Sequence, residues 1–259
     1  MGRPELTSPA AHQDEVPSQL AAWGISAAQL AAWRAKARAV HQRLLAYYGQ
    51  PQVIRRPPLD ELILTILSQN TNDGNRDRAY AALRGRFPTW EAVRDAPPEA
   101  VVEAIRPAGL ANQKGPRIQA VLQAITQERG SLDLSFLAAW PVEKAREWLL
   151  QFKGVGPKTA AIVLLFSLGK PAFPVDTHIY RVTGRLGLRP PNLSVERTHV
   201  LMEHVFPPEA YFAAHLNLIY LGRDFCRPRK PRCSTCPVRD LCDYARQFTP
   251  EEQAHDARA

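Results

Sequence analysis

All four cysteines of this 259-residue chain, Cys226, Cys233, Cys236 and Cys242, fall within seventeen positions in the pattern C-x6-C-x2-C-x5-C. Four soft ligands in one short segment suit a single metal centre better than a pair of disulfides. Zinc sites usually join two close pairs of ligands, and only Cys233 and Cys236 form such a pair. An iron–sulfur cube takes four thiolates spread around a bulky cluster, and one winding loop can supply them at uneven spacing. The spacing favours a cluster and leaves zinc, disulfides or free thiols open. Disulfides would need an oxidising compartment. Residues 1–26 hold Pro4, Glu5, His12, Asp14 and Glu15 and no apolar run, which reads as no signal peptide. No stretch approaches the ~20 apolar residues of a membrane span. The expected setting is the reducing cytoplasm, with no membrane partner.

Charge narrows the choice of partner. Lys plus Arg number 33 against 25 acidic residues, giving +8, which favours a polyanion. Between Cys226 and Cys233 the chain reads Arg227-Pro228-Arg229-Lys230-Pro231-Arg232. Four cations and two stiffening prolines describe either a solvated surface loop or a rigid loop that touches phosphates, with Arg229 and Lys230 as candidates.

The 23 prolines punctuate helical patterns and form no low-complexity tract. Strand-like alternation is nearly absent, and about ten or eleven helices with short connections make the expected fold all-α. Residues 1–25 read as a flexible polar extension. Helical patterns cover Ser26–Tyr48, Leu59–Ser68, Pro98–Ile105, Gln113–Glu128, Pro141–Leu150, Pro157–Leu168, Thr177–Leu186, Ser194–Val205 and Pro208–Tyr220. Asn72 or Asp73, and Thr89, are expected helix caps.

Between two of these helices lies Phe152-Lys153-Gly154-Val155-Gly156-Pro157-Lys158-Thr159-Ala160. Gly154 and Gly156 are expected to turn the chain with φ > 0. Pro157 suits the first turn of the next helix, whose free N–H groups form an anion site. Val155 is expected to pack back on the helix pair. The G-x4-G-K-S/T spacing of a nucleotide-binding P-loop is not met, so no nucleotide cofactor is expected. Lys158 sits on the first turn after the hairpin, and Asp176 follows eighteen residues later in Val175-Asp176-Thr177-His178. Taken singly they read as a surface lysine and a helix cap. Taken together they suggest a lysine nucleophile with a carboxylate partner: the unprotonated amine attacks a sugar carbon, and the carboxylate steadies developing positive charge.

With these residues in view, the chain resembles the endonuclease III group of helix-hairpin-helix DNA glycosylases. The resemblance rests on the hairpin K-G-V-G-P-K-T-A, the segment V-D-T-H-I-Y-R-V, the cysteine spacing and L-S-Q-N-T-N-D at 67–73, and covers about residues 30–245. It implies a two-domain fold with the active-site cleft between domains. A six-helix barrel would span 51–170, an iron–sulfur domain 26–50 and 171–245, and a tail 246–259. It implies one [4Fe-4S] cluster on Cys226, Cys233, Cys236 and Cys242, Lys158 as nucleophile and Asp176 as the essential carboxylate. Backbone and side-chain DNA contacts would come from Lys153, Gly154, Val155 and Gly156. Asn70 and Leu110 map to wedge positions that fill the gap left by a flipped base. Asn70 departs from the glutamine of the best-known members, and Lys153 replaces a common proline. The implied activity is base excision repair: a glycosylase with abasic-site lyase activity that removes damaged, oxidised pyrimidine bases from double-stranded DNA, acting as a nucleoid-associated monomer. A monofunctional mismatch glycosylase and a non-catalytic DNA-binding module are the alternatives.

Overall fold

The computed structural model describes residues 16–247. Among them there are helices, turns and loops and no strand, so the chain is all-α as expected. In chain order the helices are α1 (Ser18–Ala21), α2 (Ala27–Tyr48), α3 (Pro58–Ser68), α4 (Asp73–Arg86), α5 (Trp90–Asp95), α6 (Pro98–Ala104), α7 (Ala111–Arg129), α8 (Val142–Leu150), α9 (Pro157–Ile162), α10 (Thr177–Leu186), α11 (Val195–Val205) and α12 (Tyr211–Asp224). None is long and apolar enough to cross a membrane.

Local chemistry explains where they begin. Ser26 and Gln29 form a reciprocal capping box at the start of α2, at 3.2 and 2.9 Å, which satisfies two otherwise orphaned N–H groups. Asn72, Thr89 and Ser194 accept from the N–H three residues on, opening α4, α5 and α11. Such caps contribute about 1 kcal/mol each. Helix α3 starts with Pro58 behind Pro57 and carries Asp60 and Glu61 in its first turn, where the helix dipole favours negative charge.

Two expectations need correction. The flexible extension assigned to 1–25 stops sooner, because Ser18–Ala21 form a helical turn and Leu20 is fully buried; its first fifteen residues lie outside the described residues, as does the tail beyond Gln247. The helix expected over 157–168 is α only to Ile162 and continues as a π turn over Val163–Ser167.

The described chain forms two compact units. One holds the described residues up to Gly49, with His178–Pro207 and the residues from Asn217 onward; the other holds Gln50–Thr177 and Pro208–Leu216. In the second unit α3 is the core helix: Leu59, Leu62, Ile63, Ile66 and Leu67 are buried, and it packs against α4, α7 and α9. The stripe Ile118, Leu122 and Ile125 of α7 joins this core, an amphipathic pattern at helical spacing. In the first unit α2 packs on α11, and Arg34 Nε donates to His204 O at 2.9 Å.

Candidate functional site

The hairpin joins α8 to α9. Gly154 has φ +92°, a conformation that favours glycine, and Val155 N–H closes the turn on Phe152 O at 2.9 Å. Val155 is buried as expected. Gly156 is not as expected: its φ is −98° and ψ −179°, extended backbone open to any residue, and a Cβ there would meet nothing within 4 Å. Its carbonyl instead begins α9, accepting from Ala160 N–H at 3.0 Å. At Gly154 the missing Cβ matters, because the stem of Arg117 occupies that space. Lys153 is exposed beside the turn. Lys158 lies half-buried on the first turn of α9, and Asp176, also half-buried, immediately precedes α10. Both belong to the second unit.

Asn70 and Leu110, the positions that the resemblance maps to wedges, share an unusual backbone. Among the described residues, the non-glycine residues with positive φ are Asn70 (+51°), Leu110 (+50°) and Lys230 (+48°). Lys230 lies in the basic loop expected to meet phosphates, and Asn70 and Leu110 are positions where the resemblance implies DNA contact. Left-handed backbone costs a branched or bulky residue about 1–2 kcal/mol, and such strain persists only where surrounding structure imposes it, commonly at functional sites. Asn70 and Leu110 are both exposed, although a leucine gains by burial.

Sequence reasoning missed the residues that hold these parts. Gln69 donates from Nε2 to Gly154 O at 3.2 Å and accepts from Arg117 Nη1 at 2.8 Å. Lys114 is buried in α7. Its burial was signalled: Lys114, Ile118 and Leu122 repeat every four residues, so the lysine lies on the apolar face.

The cysteines belong to the first unit. None forms a disulfide; Cys242 is buried and the others are half-buried. They line one cavity with Leu186, Leu221, Phe225, Val238 and other apolar groups. No three His, Cys, Asp or Glu side chains among the described residues converge on a single-ion site; the thiols instead surround a space, which fits a bulky [4Fe-4S] cluster held by Cys226, Cys233, Cys236 and Cys242. Burial pushes the Cys236 thiol up to about 12 and raises Cys242 as well, so thiolate ligands here depend on the charge of bound iron.

Two arginines of α10, unassigned from sequence, fasten the cysteine loop. Arg181 donates to Cys226 O at 2.8 Å and Gly222 O at 2.9 Å. Arg185 donates to Arg227 O at 2.7 Å, Pro228 O at 3.0 Å and Cys226 Sγ at 3.5 Å. With the carbonyls taken inward, Arg227, Arg229, Lys230 and Arg232 are left exposed. Arg223, Arg227 and Arg229 line an open groove with His178.

Residues 63–208, more than half of the chain, match the family described as HhH-GPD superfamily base excision DNA repair protein, and residues 226–242 match the iron–sulfur binding domain of endonuclease III. An Arabidopsis thaliana relative is 39% identical over 194 residues, 75% of this chain; the chain spans 64% of that relative's length. Endonuclease III of Thermotoga maritima is 32% identical over 193 residues, covering 73% of this chain and 84% of that protein. The solved structure of a non-covalent endonuclease III–DNA complex superposes with a TM-score of 0.72 at 26% identity, covering 83% of this chain and 97% of that one. The hairpin, the four-thiol cavity and these matches agree: the chain belongs to the endonuclease III family of HhH-GPD base excision DNA repair proteins.

Proposed function

We propose that this protein is a DNA glycosylase with abasic-site lyase activity, acting as a monomer on duplex DNA that carries an oxidised pyrimidine. The observation that carries this reading is Lys158, half-buried on the first turn after the hairpin, in the same unit as the left-handed tips Asn70 and Leu110. The hairpin N–H groups and Lys153 hold a phosphate beside the lesion. The damaged nucleotide leaves the stack at a cost of a few kcal/mol, and Asn70 and Leu110 fill the gap. The Lys158 amine attacks C1′ with its lone pair and gives up a proton. The C1′–N bond breaks, and the base departs with the electron pair and takes up a proton. Ring opening gives a Schiff base between Lys158 and the sugar. Loss of a 2′ proton then expels the 3′ phosphate by β-elimination, and water hydrolyses the imine to free the lysine. Asp176 stabilises the cationic sugar and relays protons.

The four cysteines hold the [4Fe-4S] cluster, which when bound cross-links the basic loop. The loop's Arg229 and Lys230 then meet phosphates away from the lesion. Borohydride trapping on a duplex containing an oxidised pyrimidine tests the reading, since only a lysine Schiff base becomes covalently fixed. Base release without trapping would point instead to a monofunctional glycosylase, and binding without base release to a non-catalytic module.

A further inference from the structure

Lys114 is 1% exposed, and lysines are almost never so buried unless paired. Its partners are not carboxylates. The ammonium donates to Leu67 O at 2.8 Å, Ala108 O at 2.9 Å and Thr71 Oγ1 at 3.4 Å, which uses all three of its donors. Burial, and next the nearby charge of Arg117, pull its pKa below the ordinary lysine value. A charge is thus kept in the core on neutral acceptors alone, where an apolar side chain would fill the same space at less cost.

The positions of those acceptors explain its presence. Leu67 lies in the last turn of α3, three residues before Asn70, and Thr71 directly follows Asn70. Ala108 ends a 3-10 turn two residues before Leu110. Carbonyls at a helix end have no intrahelical donor, and the α3 end carries partial negative charge that suits a cation. Thr71 Oγ1 also donates to Ala108 O. One ammonium therefore binds the stems of both loops whose tips are left-handed. One helical turn further along α7, Arg117 reaches Gln69, and Gln69 reaches the hairpin carbonyl of Gly154.

We infer that Lys114 is a positioning residue that locks the Asn70 and Leu110 loops into one rigid fork, so that both tips enter the duplex together. This rests on the reading that these tips fill the space of a flipped base. It assigns Lys114 a role in opening the duplex and none in the bond-breaking steps at Lys158.

The test compares wild type, Lys114→Met and Lys114→Arg on three substrates. The first is single-turnover release of thymine glycol from duplex. The second is the fluorescence of 2-aminopurine placed opposite a tetrahydrofuran site in a duplex. The third is borohydride trapping on a preformed abasic site in single-stranded DNA, which needs no wedge. Lys114→Met is expected to slow duplex release at least tenfold and to cut the fluorescence rise by more than half. Trapping on single strands should stay within twofold of wild type. Lys114→Arg, which keeps a charged donor, should recover part of the duplex rate. In an Asn70→Ala, Leu110→Ala background, adding Lys114→Met should cost less than threefold more, because the fork is already blunted. If Lys114→Met does not fold, Thr71→Val removes the hydroxyl that donates to Ala108 O and should show the same split, about threefold. Equal losses on duplex and single strand, or no loss on either, would overturn the inference. Failure of wild type to release base or be trapped would instead sink the glycosylase reading, while the fluorescence arm would still report on the fork.

Discussion

Gln69 and Gly154 are joined side chain to main chain, Gln69 Nε2 donating to Gly154 O at 3.2 Å. Gly154 therefore belongs to the loop network as much as to the hairpin. With φ +92° and the Arg117 stem against it, Gly154→Ala should destabilise the protein by about 1–3 kcal/mol and weaken binding to damaged and undamaged duplexes alike. Gly156→Ala should stay within about 0.5 kcal/mol of wild type, since its backbone is extended and the space open. Denaturant titration and duplex affinities check both; equal effects at the two glycines would contradict the geometry.

Lys158→Gln should abolish borohydride trapping and strand nicking while duplex affinity stays within a few fold. Asp176→Asn should slow base release by about a hundredfold, the scale of losing a positioned catalytic group. Persistent trapping in Lys158→Gln would move the nucleophile to another amine.

The cluster and the basic loop are coupled through Arg185. Anaerobically purified protein should contain about four irons per chain and absorb in the visible. Arg185→Ala should release iron faster to a chelator, because three contacts to Cys226, Arg227 and Pro228 are lost. Arg229→Gln with Lys230→Gln should reduce the slope of log affinity against log salt by nearly 2, about 0.9 per phosphate contact. An unchanged slope would place this loop away from DNA.

Glu61, buried in the first turn of α3, gives a pH test. Burial raises its pKa, and Arg56 at 3.6 Å and Arg76 offset this only in part. Ionisation therefore opposes folding. The penalty is absent below the ordinary carboxylate pKa, where both states are protonated, and grows to completion as pH rises through the folded value. Glu61→Gln should raise the Tm at pH 7.5, and the gain should vanish near pH 4. A Tm loss at pH 7.5 would show that the Arg56 pair outweighs the burial.

Much of this was readable before the fold. Helix starts at Asn72 and Thr89 follow from local capping chemistry, and the turn at Gly154 from its glycine. What escaped is non-local. The left-handed backbone at Asn70 and Leu110 is imposed by hydrogen bonds between residues about forty positions apart, such as Lys114 to Leu67, and no dipeptide signal encodes it. Gly156 shows the converse: a glycine read as conformationally necessary occupies backbone that other residues adopt freely. Arg181 and Arg185 face the cysteine loop only because α10 and that loop meet in three dimensions.

The cysteine segment is also tied to α2. Lys36 pairs with Asp243 at 2.7 Å and Arg43 with Asp240 at 3.1 Å, across 207 and 197 residues of chain. A nascent polypeptide exposes α2 well before the cysteines. The cysteine segment that receives iron is thus complete only after the long stretch between them has been synthesised, and α2 waits for its partner until then. Metallation becomes a late step of maturation, and the newly made apoprotein passes through a period in which its thiols are open to oxidants before the cofactor arrives.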